Sequence, residues 1–258
     1  MLCMMIQQNI LLAGTATVLF VLPLVYLAFW RMKSHAHWKA LFLGALGFIV
    51  SARVLEVLVH FVFLVSDHPI SRAINGSTLL YVLYGVTMAG VFEEVGRWVM
   101  FTVLRKKLDY REDAVMYGIG HGVIEVWSVT LPVILIYLMV AIGGNGIPAE
   151  TAAALMPSVE AFGLGTALCF IIERIFCMGI HISLTIIVFY GVRNQNKKYL
   201  LMAILAHMLL DTLPALYQRG AVSIAVTELW LGVCCVVLCF IAHRFYQKLR
   251  EESTAPAR

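Results

Sequence analysis

Long apolar runs recur through the whole chain, and they limit its possible folds more than any other feature. Each run is about 20 residues long, the length that a helix needs to cross a hydrocarbon core of about 30 Å. The chain is 61% hydrophobic and only 13% charged, whereas soluble domains are about 25% charged. The sequence therefore predicts an all-α, polytopic membrane protein that is partnered by the lipid bilayer.

The runs predict seven transmembrane helices and leave no room for a separate soluble domain. Spans two, four and five are long enough to be tilted or broken. We expect a single membrane domain over residues 1–250 and a short polar tail over residues 251–258. The predicted spans are 9–30, 40–66, 79–104, 114–142, 161–192, 199–217 and 221–241.

Most of the 19 Lys and Arg residues follow the odd-numbered spans. Short cytoplasmic loops collect Lys and Arg, so this placement predicts an N-terminus outside and a C-terminus in the cytoplasm. We expect an integral protein of a bacterial plasma membrane. The basic residues that carry the orientation are Arg31, Lys33, Lys39, Arg105, Lys106, Lys107, Arg111, Arg193, Lys197, Lys198, Arg244, Lys248, Arg250 and Arg258.

Three short polar motifs lie inside these apolar spans. An ionisable side chain at the centre of a bilayer costs about 2.5 to 3.5 kcal/mol on insertion scales, so such residues mark functional sites. The motifs are Glu93-Glu94-x-x-Arg97, His121-x-x-x-Glu125 and His207-x-x-x-Asp211. We therefore treat the seven ionisable residues of these motifs as candidate catalytic residues.

The motifs share one depth in the predicted membrane. Counted from the cytoplasmic end of each span at about 1.5 Å per residue, their leading residues lie roughly 11 to 15 Å deep. Glu125 and Asp211 each lie one turn further in, on the same face as the histidine of their own motif. We expect three helices to present a carboxylate and two imidazoles to one small cavity that opens toward the cytoplasm.

This combination of side chains predicts hydrolysis by an activated water. In a metal-free version, Glu93 and His121 deprotonate the water while His207 and Asp211 stabilise the oxyanion. In a metal version, Glu93, His121 and His207 hold Zn²⁺ or another divalent ion with one open position. Glu125 and Asp211 would then orient the ligands. No organic cofactor is expected.

The two adjacent glutamates are expected to have different roles. They lie about 100° apart around the helix axis, so both cannot face one centre. We expect Glu93 to face the reacting centre while Glu94 and Arg97 supply structure and orientation, although the sequence leaves the reverse choice open. His181 in span five reaches a similar depth and is a further candidate metal ligand.

A second polar group lies on span two and consists of Arg53, Glu56 and His60. Arg53 and Glu56 are three residues apart, a spacing that brings side chains together on an α-helix. We expect them to form a self-neutralising pair inside the bundle.

In this order on the chain, the three motifs resemble those of a superfamily of intramembrane proteases. It includes the CAAX prenyl endopeptidases, the bacteriocin-processing (CPBP or Abi) proteins and the PrsW family. PrsW-type sequences read E-E-x-x-K, H-x-x-x-E and H-x-x-x-D, so this chain matches them with Arg97 in place of Lys. The CAAX pattern, E-E-x-x-x-R, F-x-x-x-H and H-x-x-x-N, differs by one residue of spacing. Within the superfamily, the chain looks similar to the YhfC-like intramembrane metalloproteases.

The resemblance implies a catalytic core at about residues 79–217 and an endopeptidase that acts on a membrane-associated peptide or protein. Carried over by position, it implies that Glu93 and His121 activate water. It assigns His207 and Asp211 as stabilisers or ligands, and Glu94 and Arg97 as supporting residues.

Two other classes of function remain open. Buried Asp, Glu and His also mark proton relays, so a proton- or cation-coupled transporter is an alternative, although the chain lacks the internal repeats of many transporters. A catalytically silent immunity or binding protein would keep the same pocket. We expect no nucleic-acid partner, and the sequence leaves the substrate and the oligomeric state open.

Overall fold

The structure is a computed structural model that describes residues 2–104, 110–144 and 146–254. Within these ranges, all regular structure is helical, and seven helices are long and apolar enough to cross a membrane. The predicted all-α fold with seven spans is confirmed, whereas Arg105, Lys106 and Lys107 lie outside the described residues. The spans are Ile6–Lys33, Trp38–Val65, Thr78–Val103, Arg111–Ala141, Leu164–Arg193, Lys198–Gln218 and Ile224–Arg250.

Some spans contain more than one helical element. Three π-helical segments, Ile49–Glu56, Phe61–Val65 and Val126–Thr130, interrupt the second and fourth spans. The α-helices are α1 (Leu2–Lys33), α2 (Trp38–Phe48), α3 (Val57–His60), α4 (Pro69–Gly76), α5 (Thr78–Leu104), α6 (Arg111–Glu125), α7 (Leu131–Ala141), α8 (Ala149–Glu160), α9 (Leu164–Arg193), α10 (Lys198–Gln218) and α11 (Ile224–Thr254).

The interruption of the fourth span has a direct cause in the sequence. Pro132 lies immediately after the π-helical segment Val126–Thr130, near the start of α7. Proline has no N–H group to donate, and its ring clashes with the carbonyl four residues earlier, which a wider helical turn relieves. The fifth span, in contrast, is one unbroken helix of 30 residues.

Two segments are more helical than the sequence predicts. The glycines and Pro148 within residues 143–160 predict a turn region, but only the glycine turn forms one, with positive φ at Gly143 and Gly146. The rest forms α8, whose alanine-rich sequence has a low cost of helix formation. α11 continues to Thr254 and takes in half of the predicted tail, whose last residues, 255–258, lie outside the described ranges.

α9 is the central helix of the bundle. In its most apolar stretch, 72% of the residues are buried, against at most 28% in each of the other six spans. It packs against α6, α10 and α11, and also against α1 and α5. Any polar side chain on α9 therefore meets other helices more often than lipid.

α2 and α6 approach each other closely through glycines. A Cβ atom at Gly44 would collide with the Tyr117 carbonyl, and one at Gly120 would collide with the Leu41 carbonyl. Small residues allow membrane helices to come this close. The contact fixes α6, and with it His121, at one depth beside α9.

The two ends of the bundle differ in packing. Toward the basic loops, the ring of Phe101 contacts those of Tyr117 and Phe189, with centroid distances of 4.5 and 5.1 Å. Residues 183–192 of α9, at the same end, are all buried. We call the three rings the aromatic layer, and it closes this end of the bundle.

Candidate functional site

Six ionisable side chains from four helices meet just above the aromatic layer. All six are at least nine-tenths buried. We call this group the Glu93 cluster: Glu93, Glu94 and Arg97 of α5, His121 of α6, His181 of α9 and His207 of α10.

The Glu93 carboxylate lies at the centre of three imidazoles. Its Oε2 atom is 3.0 Å from His121 Nε2, 3.8 Å from His181 Nδ1 and 4.0 Å from His207 Nε2. The helices that bear the three motifs therefore bring their leading residues together, as expected from their shared depth.

Glu94 points to the other side of α5. Its Oε1 atom accepts a hydrogen bond from Arg97 Nη1 and lies 2.7 Å from His207 Nδ1. The division of the two glutamates follows the expectation: Glu93 faces the centre, and Glu94 holds the guanidinium and one histidine ring. The rotation of about 100° between neighbouring helical residues is the reason.

Arg97 connects both glutamates to two of the histidines. Its Nη2 atom donates to Glu93 Oε2 at 3.3 Å and lies 2.9 Å from His121 Nε2 and 2.7 Å from His181 Nδ1. A guanidinium carries only donors, and Nη2 has two hydrogens for these three neighbours, so it donates to two of them at a time. Arg97 thereby offsets the burial of two carboxylates and holds two imidazole rings close to Glu93.

His181 lies between the other two histidines. Its ring centroid is 4.6 Å from that of His121 and 6.0 Å from that of His207. Sequence reasoning treated His181 as a secondary candidate because it belongs to none of the three motifs. The signal that identified it was its depth in span five.

The second residue of each histidine motif has its own contact. Glu125 does not pair with His121 but lies against His181 Nε2, and its Oε1 accepts from Arg174 Nη1 at 3.0 Å. Asp211 Oδ2 lies 3.4 Å from His207 Nε2, and its side chain is 36% exposed. Sequence reasoning missed the role of Arg174, which depends on the packing of α9 against α6.

The donor atoms of the cluster fit a divalent metal. Two groups, Glu93 with His121 and His181, and Glu93 with Glu94 and His207, each place their ligand atoms within 4.8 Å of one another. Ligands of one zinc ion lie at about 2 Å from it, so they stand about 3 to 4 Å apart. In metal sites, the second ring nitrogen of a histidine ligand typically contacts a carboxylate. Glu125 contacts His181 Nε2 in this way.

Two features of this donor set differ from the predicted one. His121 and His207, expected to share one metal with Glu93, fall into different groups. In addition, Arg97 Nη2 lies within 3.3 Å of all three donor atoms of the first group. A cation of the chain itself therefore satisfies the atoms that would bind a metal.

A cavity of about 640 Å³ lies on one side of the Glu93 cluster. It reaches Tyr81 and Gln218, near the ends of α5 and α10, where the Tyr81 hydroxyl donates to Gln218 Oε1 at 3.1 Å. His121 and Arg97 do not line it and lie behind Glu93. The acidic, arginine and histidine residues of the motifs and of α9 that line it are Glu93, Glu125, Glu173, Arg174, His181, His207 and Asp211.

The cavity extends away from the helix ends that carry the basic loops, so the expectation that it opens toward those ends is wrong. The aromatic layer fills the bundle on that side, and the residues of α9 beyond His181 are packed. The space left open is the half of the bundle that ends near Tyr81 and Gln218.

A second polar group lines the same cavity, and we call it the second-span cluster: Arg53, Glu56 and His60 with Tyr84 of α5. Glu56 Oε1 is 3.2 Å from His60 Nε2, and His60 Nδ1 is 2.9 Å from the Tyr84 hydroxyl. The expected Arg53–Glu56 pair is not formed. Both residues lie in the π-helical segment Ile49–Glu56, whose wider turn moves residues three apart off a common face.

Comparison with known proteins confirms the resemblance to YhfC-like proteins. The family model described as YhfC intramembrane metalloprotease matches residues 18–231. The "Uncharacterized membrane protein YhfC" of Bacillus subtilis (strain 168) is 32% identical over 237 residues, which cover 85% of this chain and 89% of that protein. No solved structure matches the chain. With a family model that spans the Glu93 cluster and a relative aligned over most of its length, the chain belongs to the YhfC intramembrane metalloprotease family.

Proposed function

We propose that this protein is an intramembrane protease that hydrolyses a peptide bond in a membrane-associated peptide or protein. One observation carries the proposal: the Glu93 carboxylate is buried among three imidazoles and still lines a cavity of about 640 Å³. The name of the family supports it. The order of the three motifs supports a place in the wider CPBP and PrsW superfamily.

In the metal-free version, Glu93 is the group that takes a proton from the attacking water. Its carboxylate reaches the cavity, while His121 lies behind it with Nε2 at 3.0 Å from Oε2. His121 and Arg97 therefore hold Glu93 in position and do not touch the substrate. A positioned general base of this kind contributes about 10² to 10⁴ in rate.

His207 is the group that faces the carbonyl oxygen and the leaving amine. Its Nδ1 is fixed by Glu94, so its Nε2 points toward Asp211 and the cavity. A proton on Nε2 stabilises the oxyanion that forms when water adds to the carbonyl carbon. When the C–N bond breaks, the leaving amine receives the proton that Glu93 took from the water, and a carboxylic acid remains on the other product.

The residues that would hold a divalent metal are Glu93, His121 and His181. Such an ion supplies Lewis acidity to the carbonyl and lowers the pKa of water. The shape of the cavity and the orientation of His207 by Glu94 serve the reaction in either version.

The orientation of the chain decides the side from which substrate arrives. The basic loops favour an external N-terminus and a cytoplasmic C-terminus in a bacterial plasma membrane. Under this orientation, the cavity extends from the Glu93 cluster toward the outer face of the membrane. We infer a substrate that is reached from the outer leaflet or the external space.

The test compares wild type with Glu93→Gln in nanodiscs, using a library of membrane-spanning peptides and mass spectrometry of new termini. The matched control is Glu150→Gln, because Glu150 is exposed on α8 and does not line the cavity. We expect Glu93→Gln to lose cleavage by at least about 100-fold. Glu150→Gln should cleave as wild type does, and all three should unfold at similar temperatures.

Equal product from wild type and Glu93→Gln, or no new termini from wild type, contradicts the proposal. A parallel experiment with a chelator distinguishes the metal version of the reaction from the metal-free version. Loss of cleavage with 1,10-phenanthroline and recovery with added Zn²⁺ selects the metal version. Unchanged cleavage selects the metal-free version, in which Glu93 acts alone as the base.

A further inference from the structure

The charged side chains that line the cavity are nearly all paired with one another. Each carboxylate on the wall has a cationic or imidazole partner within the described residues. Arg174 is also paired, through Glu125 and Glu173. The pairs are Glu56 with His60, Glu93 with Arg97, Glu125 and Glu173 with Arg174, and Asp211 with His207.

Arg53 is the exception on this wall. It lines the cavity, its side chain is exposed, and it has no hydrogen bond or ion pair with any of the described residues. Its nearest candidate partner in sequence, Glu56, is taken by His60, and the second nitrogen of His60 is taken by Tyr84. One positive charge of the cavity wall is therefore left unmatched.

An unpaired arginine in the middle of a membrane span is costly, so a bound ligand is the simplest reason for its presence. A guanidinium binds carboxylate or phosphate through two parallel hydrogen bonds. Arg53 lies 15 residues from Trp38, or roughly 22 Å along the span, whereas Glu93 lies roughly 15 Å from Val103 at the same end of the bundle. Arg53 therefore lies farther than Glu93 from the basic loops, on the side toward which the cavity extends.

Depth favours a peptide carboxylate over a lipid phosphate. Arg53 is 12 residues from Val65, the other end of its span, and thus roughly 18 Å from that surface. Phospholipid phosphates lie at the membrane surface, outside the hydrocarbon core. A peptide that enters the cavity to reach Glu93 passes Arg53, because both residues line the same space.

We propose that Arg53 forms an anion subsite of the cavity, which binds a carboxylate of the peptide whose backbone extends to Glu93. This assignment deepens the proposed function and rests on it, since it names the substrate class as peptides with an acidic group near the cleaved bond. Both a Glu or Asp side chain and the C-terminus of the peptide supply such a carboxylate.

The test measures peptide binding by the shift of the thermal unfolding midpoint in nanodiscs. The probes are a pool of N-acetylated apolar tetrapeptides with one carboxylate and the same pool with every carboxylate converted to an amide. The variants are Arg53→Gln and, as the control, Arg72→Gln, since Arg72 pairs with exposed Asp67 outside the cavity. All carry Glu93→Gln, so that binding is measured without cleavage.

We expect the acidic pool to bind about 10- to 100-fold more tightly than the amide pool when Arg53 is present. Arg53→Gln should bind both pools at the amide level, and Arg72→Gln should keep the full preference. Without peptide, Arg53→Gln should unfold at the same or a higher temperature, because it removes an unmatched charge.

Three results would overturn the proposal. The first is a preference for the acidic pool that survives Arg53→Gln. The second is binding of neither pool to any variant. The third is loss of co-purified phospholipid in Arg53→Gln together with equal binding of both pools to wild type, which would assign Arg53 to a lipid phosphate. Failure of cleavage with an intact Arg53-dependent preference would instead count against the protease alone.

Discussion

The Glu93 cluster and the second-span cluster contain the same kinds of side chain and line the same cavity, yet they are built differently. The Glu93 cluster draws on four helices, and its arginine contacts both glutamates and two imidazoles. The second-span cluster comes from one span and a single tyrosine of α5, and it leaves Arg53 without a partner among the described residues.

The difference shows how placement determines what a polar group can do. Side chains from four helices can surround one point only after the bundle has packed, so the Glu93 cluster is held rigidly and buried. Neighbours on one helix satisfy each other locally and leave the remaining charge facing the cavity. The first arrangement suits catalysis, which needs fixed geometry, and the second suits capture of a ligand.

The largest contrast should appear in stability when one carboxylate is removed from each cluster. Glu94→Gln leaves the buried Arg97 with one carboxylate and weakens the hold on His207, so it should cost about 3 to 5 kcal/mol of unfolding free energy. Glu56→Gln should cost about 1 kcal/mol or less, because its partner His60 is 31% exposed. Unfolding in mixed micelles measures both, and equal losses would count against the contrast.

A smaller contrast should appear in metal binding. His181→Ala removes a donor of one candidate group and the partner of Glu125, so the affinity for Zn²⁺ should fall by about 10- to 100-fold or more. His60→Ala changes a histidine of the second-span cluster and should leave the affinity unchanged. Competition with a fluorescent chelator measures both. A common affinity for wild type and His181→Ala would show that His181 is not a ligand.

The smallest contrast concerns two tyrosine hydroxyls. Tyr84→Phe removes the hydroxyl that contacts His60 and should lower the unfolding free energy by about 0.5 to 1.5 kcal/mol. Tyr117→Phe removes a buried hydroxyl that has no hydrogen-bond partner among the described residues, so it should be neutral or slightly stabilising. Thermal melts of the two variants in one detergent test the signs, and a reversed order would contradict the assigned contacts.

Much of the fold and part of the site follow from the sequence. The seven spans could be predicted because a helix that crosses lipid needs a fixed length of apolar residues. Glu93, His121 and His207 could be placed together because their depths agree and helical rise is constant. The different directions of Glu93 and Glu94 follow from the helical rotation between neighbours. Their roles in a reaction stay predictions.

The remainder depends on how the helices pack. The link from Glu125 to His181 and Arg174 needs the position of α9 relative to α6, which no spacing within one helix contains. The prediction of an Arg53–Glu56 pair was wrong because residues three apart share a face on an α-helix, whereas that segment is π-helical. The predicted direction of the cavity was wrong because it depends on which half of the bundle is filled by packed side chains.

The rings of Phe101, Tyr117 and Phe189 also affect how well the membrane around this protein blocks the passage of ions. They lie between the cavity beside Glu93 and the helix ends that carry the basic loops, so water that enters the cavity would meet packed side chains on that side. Among the described residues, this packing interrupts any continuous file of water that could conduct protons across the bilayer. A membrane that contains this cavity can therefore keep a proton gradient, which drives transport and ATP synthesis.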